Sequence, residues 1–296
     1  MTTIWNRVKE EITQHYNLRK PIISKIGKYF ENRYVVSFYT NFETIARIDN
    51  QDIGMLRTLL GGSKKVRARK IIFLISSLGG DPLAAEKMIK VLREYSDNDY
   101  WVVIPDTAKS AATMVCLGAS KIILSPVSEL GPIDLQIERE GSLIPAHSVI
   151  TAYDNLIEKG VNLHEGQRIE PILQQLQNFD PSEIEYYRQV NELSSDIAVK
   201  VLKNGMLKGF EHEKIKEMIN ILLDPTKSKT HGRPIFYSDI KEVDKENNLE
   251  LQLIDLSEKI WEDVTEYHTR LTFHLKQTRT LKVIESEEMS FMATGG

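Results

Sequence analysis

Hydrophobic residues crowd into three short runs of the chain, RYVVSFYT at 33–40, KIIFLIS at 70–76 and YWVVIP at 100–105. Each is dense in β-branched and aromatic side chains and bounded by polar or turn residues, which predicts a strand. The second and third lack polar alternation, so they read as strands buried on both faces. Between them, DPLAAEKMIKVLREY changes to a helical period that puts Ala85, Met88, Ile89 and Leu92 on one face. Asp81 is placed to cap that helix, and Pro82 suits its first position. Strand, helix and strand in this order predict a β-α-β unit.

A small-residue helix, SAATMVCLGA, and a further strand, KIILS, follow, and then a Pro/Gly-rich segment, PVSELGPIDLQI. The α/β pattern ends near Ser142. From Val149 onward the periodicity is helical: TAYDNLIEKG, then GQRIEPILQQLQ, then a long helix opened by Asp180-Pro181 and running to about Lys203. Asp224-Pro225 and TKSKTHGRP interrupt it. LSEKIWEDVTEYHTRLTFHL places Leu256, Ile260, Trp261, Val264, Tyr267 and Leu271 at helical spacing, a core-facing stripe. The terminal MATGG reads as a loose tail. The expected organisation is an N-terminal helical segment (1–32), an α/β core (33–145) and a helical region packed on it (146–290).

Bulk properties narrow the partners. The 296 residues are 41% apolar, enough for a substantial core. The 38 basic and 42 acidic residues leave a net charge of -4, so no global basic field favours nucleic acid. A lone cysteine, Cys116, and a polar start without a charged-then-apolar leader suggest a cytoplasmic chain. No apolar run approaches the roughly 18 residues needed to cross a bilayer. The seven histidines and one cysteine show no paired ligand spacing, so neither a metal nor another cofactor is expected.

Two turns could carry chemistry. In SSLGGDP a buried strand runs through Gly79 and Gly80 into a helix, and two amides there could face a developing negative charge. The same pair could cradle a phosphate, or serve only the turn. In the next unit Ser110, in AKSAATM, stands at a helix start among Ala108, Ala111 and Ala112. Its hydroxyl could be a helix cap or a nucleophile open to a substrate carbonyl.

Taken together, LISSLGGDPLAAEKMIKVLRE, IPDTAKSAATMVCLGASKIILSPVSELGPIDLQI and the later SKTHGRPI resemble the Clp protease and crotonase superfamily, and within it the serine dehydrogenase proteinase family of Clp-fold serine peptidases. The resemblance implies a ββα spiral in which Ser110 attacks a peptide carbonyl while the Gly80 and Ala111 amides hold the oxyanion. Such a serine needs a base. His231 matches a histidine of the family pattern. Asp134, in GPIDLQ, lies near where Clp proteases keep their catalytic histidine, and His147 lies near where signal peptide peptidases of the superfamily place a catalytic lysine. Lys109 and Lys159 are further candidates. Leu78, Ala112 and Leu135 depart from the family's usual proline, glycine and proline.

The expectation is a serine peptidase acting on peptides or proteins as a homo-oligomer, which would hide its site from folded proteins. No GxxxxGK[ST] phosphate loop is present, so any unfolding ATPase would be a separate partner. A membrane-protein substrate is left open. The alternatives are a crotonase-like acyl-CoA hydratase or isomerase, which would use the same amides without Ser110, and a catalytically silent scaffold.

Overall fold

The structure is a computed structural model that describes residues 16–44, 46–62, 70–139, 142–164, 166–223, 234–244, 251–254 and 258–295. Helix α1 (Tyr16–Tyr29) leads into strand β1 (Tyr34–Thr40). Four further strands and three helices follow: α2 (Asn50–Gly62), β2 (Ile71–Ser76), α3 (Pro82–Tyr95), β3 (Tyr100–Ile104), the short β4 (Thr107–Ala108), α4 (Ala111–Leu117) and β5 (Lys121–Leu124). Asp81 accepts a hydrogen bond from the Leu83 amide at 2.8 Å, with Pro82 just behind it, so α3 starts where its cap and its proline dictate.

Short strands β6 (Glu129–Leu130), β7 (Gln136–Arg139) and β8 (Ser142–Pro145) then give way to helices α5 (Ala146–Val161), α6 (Glu170–Leu176) and α7 (Pro181–Lys203). Asp180 caps α7 through the Ser182 amide at 2.7 Å. Helices α8 (His212–Met218) and α9 (Asn220–Leu223), strand β9 (Ile235–Phe236), helix α10 (Tyr237–Asp244) and strand β10 (Leu251–Leu253) follow. Helix α11 (Lys259–Thr278) and strands β11 (Thr280–Ser286) and β12 (Ser290–Thr294) close the order.

Seven strands form one sheet in the order β10-β5-β3-β2-β1-β11-β12. The strands from β10 to β1 are parallel, and β11 and β12 join antiparallel. Both faces are covered. Val36, Phe38, Ile71, Phe73, Ile75, Val102 and Ile122 pack on one side with α2, α3, α4 and α7. The alternate residues Val35, Tyr39, Ile72, Leu74, Val103 and Ile123 pack on the other with α1 and α11. The strand period of two thus feeds two apolar layers at once, which is why the central strands are mostly apolar, with a few small buried hydroxyls such as Ser37, Thr40 and Ser76. The α11 stripe of Ile260, Trp261, Val264, Tyr267 and Leu271 is buried in the second layer, while Leu256 lies outside the described residues.

Three strands of this sheet come from the C-terminal half, which the periodicity reads as helical. The expected loose tail is corrected: Met292–Thr294 lie in β12 and pair with β11. Strand β11 escapes a pattern reading because Lys282 and Glu285 look solvent-facing, yet both are buried. Glu285 takes a two-pronged ion pair from Arg19 at 2.8 Å on each oxygen and a bond from the Tyr267 hydroxyl at 2.9 Å. A smaller sheet, β4-β6-β9, sits at the carboxyl ends of the central strands.

Candidate active site

After β2 the chain runs beside the start of the next β-α unit. Ser77 makes a parallel bridge with Ala108, its amide bonding the Thr107 carbonyl and its carbonyl accepting from the Lys109 amide, both at 3.0 Å. The next residues meet a different neighbour. The Ile48 amide donates to the Gly79 carbonyl at 2.8 Å, and the Asp81 amide donates to the Ile48 carbonyl at 2.9 Å. Those two bonds flank Gly80 in a parallel bridge, so the N–H of Gly80 itself points away from Ile48.

Both glycines are required by geometry. Gly79 has φ 101°, and a side chain there would meet the Lys109 carbonyl oxygen at 2.6 Å and the Ser110 Cβ at 2.8 Å. Gly80 has φ 155°, and a Cβ there would lie 2.4 Å from the Ile48 backbone. The Gly79 amide already donates to Ser77 Oγ at 3.1 Å. Of the three amides considered from the sequence, those of Gly80 and Ala111 carry no hydrogen bond to another described residue.

Ser110 is half-buried, at φ 52° and ψ -122°, a conformation that a residue with a Cβ adopts only under strain of about 1–3 kcal/mol. Its hydroxyl makes no capping hydrogen bond to α4, so the bland explanation for a serine at a helix start does not apply. The strain is held by its surroundings. Thr113 Oγ1 donates to the Ala108 and Gly131 carbonyls, each at 2.9 Å, and the Gly131 amide bonds Ala108 at 3.0 Å. Thr113, Ser77 and Ile48 therefore shape the site, and no motif in the chain singled them out.

The neighbouring candidates fall out differently. Lys109 turns to Glu129, Nζ to Oε1 at 2.9 Å, with both side chains largely buried. Asp134 is buried and accepts from Gln136 Nε2 at 3.1 Å. His147 stands in the first turn of α5, its Nε2 3.2 Å from the Thr151 hydroxyl in an exposed contact. The Ala146 amide bonds the Leu135 carbonyl at 2.8 Å, which brings the backbone before His147 next to that after Asp134. His231 lies outside the described residues, but both flanks of its segment are tied down. Leu222 accepts from the Ile133 amide at 2.7 Å, and Ile235 pairs with Leu130.

Among the family departures, Ala112 is fully buried and cannot touch a substrate, whereas Leu78 is 43% exposed beside the glycine turn. Cys116 is buried, and burial pushes its thiol far up, leaving it no thiolate character. Among the described residues no cluster of His, Cys, Asp or Glu could hold a metal ion, and no helix is long and apolar enough to cross a membrane.

The family model of the ClpP-like SDH-type serine proteinases matches residues 55–273, most of the chain. The chain belongs to this family. Within this ClpP-like family the mixed α/β sheet is the fold that the sequence pattern led to. Among curated proteins, uncharacterized protein MJ0137 of Methanocaldococcus jannaschii is 27% identical over 192 residues, 64% of this chain and 58% of that protein. Uncharacterized protein MJ1495 of the same organism is 34% identical over 89 residues, 30% of this chain and 29% of that one. The chain thus spans well under two thirds of the length of these relatives. Among solved structures it is similar to a ClpP1 variant from Listeria monocytogenes (TM-score 0.42, 12% identity, 81% of this chain and 99% of that one). It is also similar to the membrane-bound stomatin-specific protease 1510-N (TM-score 0.32, 16% identity, 76% and 97%).

Proposed function

We propose that this SDH-type proteinase hydrolyses peptide bonds with Ser110 as nucleophile. The observation that carries the reading is the serine itself: a strained backbone, a hydroxyl excused from capping, and beside it the amides of Gly80 and Ala111, which have no other partner among the described residues. Ser110 Oγ attacks the scissile carbonyl carbon, and its proton passes to a base. The carbonyl oxygen becomes an oxyanion that accepts from the two amides. Collapse expels the amine with the proton, and water then releases the acyl group.

His231 is the base in this reading, supported by the tethering of Leu222 and Ile235 on either side of Leu130–Ile133, which leads from the Ser110 turn to Asp134. Asp134 orients it. His147, hydrogen-bonded to Thr151 at the surface, is the competing base. Labelling with a fluorophosphonate probe tests the assignment by intact mass. Wild type gains one adduct, Ser110→Ala gains none, His231→Ala labels about 100-fold more slowly, and His147→Ala labels as wild type. Labelling of Ser110→Ala, or none of wild type, overturns the nucleophile; swapped rates of the two histidine variants overturn the base.

The partner in this reading is a second copy of the chain. Ile157, Val161, Ile169, Leu173, Tyr186 and Leu193 are exposed on or beside α5–α7, and α6 buries none of its residues. Light scattering should give a mass above one chain, lowered by Val161→Asp with Leu173→Asp.

A further inference from the structure

Resting on the serine-peptidase reading, we infer that Lys282 is a positioning residue for the oxyanion site, acting through Asp49, Asp52 and the Ile48 backbone on Gly80. None of these four clamp residues, Ile48, Asp49, Asp52 and Lys282, falls within the stretch that the family model matches. Lys282 is buried in β11, level with Thr40 of β1, and its Nζ lies 2.6 Å from Asp49 Oδ2 and 3.1 Å from each oxygen of Asp52. Asp52 is fully buried.

The two carboxylates also cap α2 reciprocally. Asp49 Oδ1 accepts from the Gln51 amide at 2.8 Å, and Asp52 Oδ2 accepts from the Asp49 amide at 2.8 Å. One ammonium therefore fixes the start of a helix and, one residue before it, the Ile48 backbone that grips Gly79 and Asp81. A second line runs from the same edge. Thr40 Oγ1 donates to Ser77 Oγ at 3.2 Å, and Ser77 Oγ accepts the Gly79 amide.

A buried lysine and a buried aspartate, with a half-exposed second aspartate beside them, are a poor way to gain stability, since desolvation offsets most of the attraction. They are a good way to enforce one geometry, because a shift of Ile48 by a fraction of an ångström would leave a buried charge unmatched. Gly80 has no side chain with which to hold its own peptide plane. The clamp supplies that hold, aiming the Gly80 N–H to the side opposite Ile48, where the Ser110 turn lies against Gly79. An oxyanion donor out of line by this much costs rate without costing substrate binding.

The test is fluorophosphonate inactivation resolved into the maximal rate and the probe affinity, on wild type, Lys282→Met and Asp49→Asn. It is combined with hydrogen exchange at the amides of Ile48 and Asp81. Expected for Lys282→Met is a maximal rate about 10-fold lower with affinity unchanged, and exchange at both amides about 10-fold faster. Asp49 is half exposed, so Asp49→Asn keeps the fold and should show the same pattern at about 3-fold, even where Lys282→Met does not fold. A lowered melting temperature with unchanged maximal rate and unchanged exchange overturns the inference and leaves the clamp a matter of stability alone. If wild type does not react at all, the serine reading fails, and exchange at Ile48 and Asp81 still decides whether Lys282 holds the turn.

Discussion

The two successive strand-to-helix turns of the central sheet solve the same problem with opposite residues. At the first, the backbone enters positive φ twice and the chain supplies Gly79 and Gly80, which adopt it without strain. At the second, the backbone enters positive φ once and the chain supplies Ser110. A glycine there would be easier to fold. Where only a peptide group is wanted, the side chain has been discarded; where a hydroxyl is wanted, the strain is kept and enforced by Thr113 and Gly131. The difference separates a turn built for its backbone alone from one that keeps a hydroxyl, the group proposed above as the nucleophile.

The largest effect that would test this contrast is Gly80→Ala. Its methyl group would sit 2.4 Å from the Ile48 nitrogen and oxygen, both backbone atoms with nowhere to go. The expected cost is roughly 3 kcal/mol, read as a lower denaturation midpoint. A midpoint within experimental error of wild type would mean that the first turn is not held by Ile48.

Next in size is a pH dependence. Burial pushes Asp52 up to about 6, outweighing the opposing Lys282. Its folded value is above its unfolded one, so the proton favours the folded state. The stability it contributes is complete below the unfolded value near 3.8 and is lost as pH rises through about 6. Wild type should therefore gain about 2 kcal/mol relative to Asp52→Asn between pH 7 and pH 4, seen in urea melts at each pH. A constant difference would place Asp52 outside the buried clamp.

The smallest effect concerns the second turn alone. Ser110→Gly should stabilise the protein by about 1 kcal/mol while abolishing probe labelling, because it releases strain and removes the hydroxyl together. Ser110→Ala should abolish labelling without that gain. If the two variants melt alike, the backbone at residue 110 is not strained.

Much of the frame was legible because local chemistry marks it. Asp81-Pro82 and Asp180-Pro181 start helices by capping and by a fixed φ, and both operate within three residues. The three apolar runs announced central strands because burial on both faces favours apolar side chains and admits little beyond a few small hydroxyls. What stayed hidden is non-local. Helix α2 hides behind three glycines, Gly54, Gly61 and Gly62, that weaken its propensity. Strand β11 looks half polar because its partners for Lys282 and Glu285 lie far away in the chain. At the site, the GG pair and Ser110 stood out by residue type, but the direction of an amide depends on Ile48, which belongs to an isolated bridge with no period to detect. Strain at Ser110 is likewise a property of φ and ψ, and serine gives no sign of it.

Lys282 follows Asp49 by 233 residues. A ribosome adding residues one at a time makes Ser110 and both glycines long before it makes the ammonium that pairs with Asp49 and Asp52, and β1 waits as long for β11 to cover its edge. A half-translated chain thus carries Ser110 and the glycine turn without the ion pairs that fix the backbone beside Gly80. In the peptidase reading, that order withholds the proposed oxyanion geometry until the last strands of the sheet are in place.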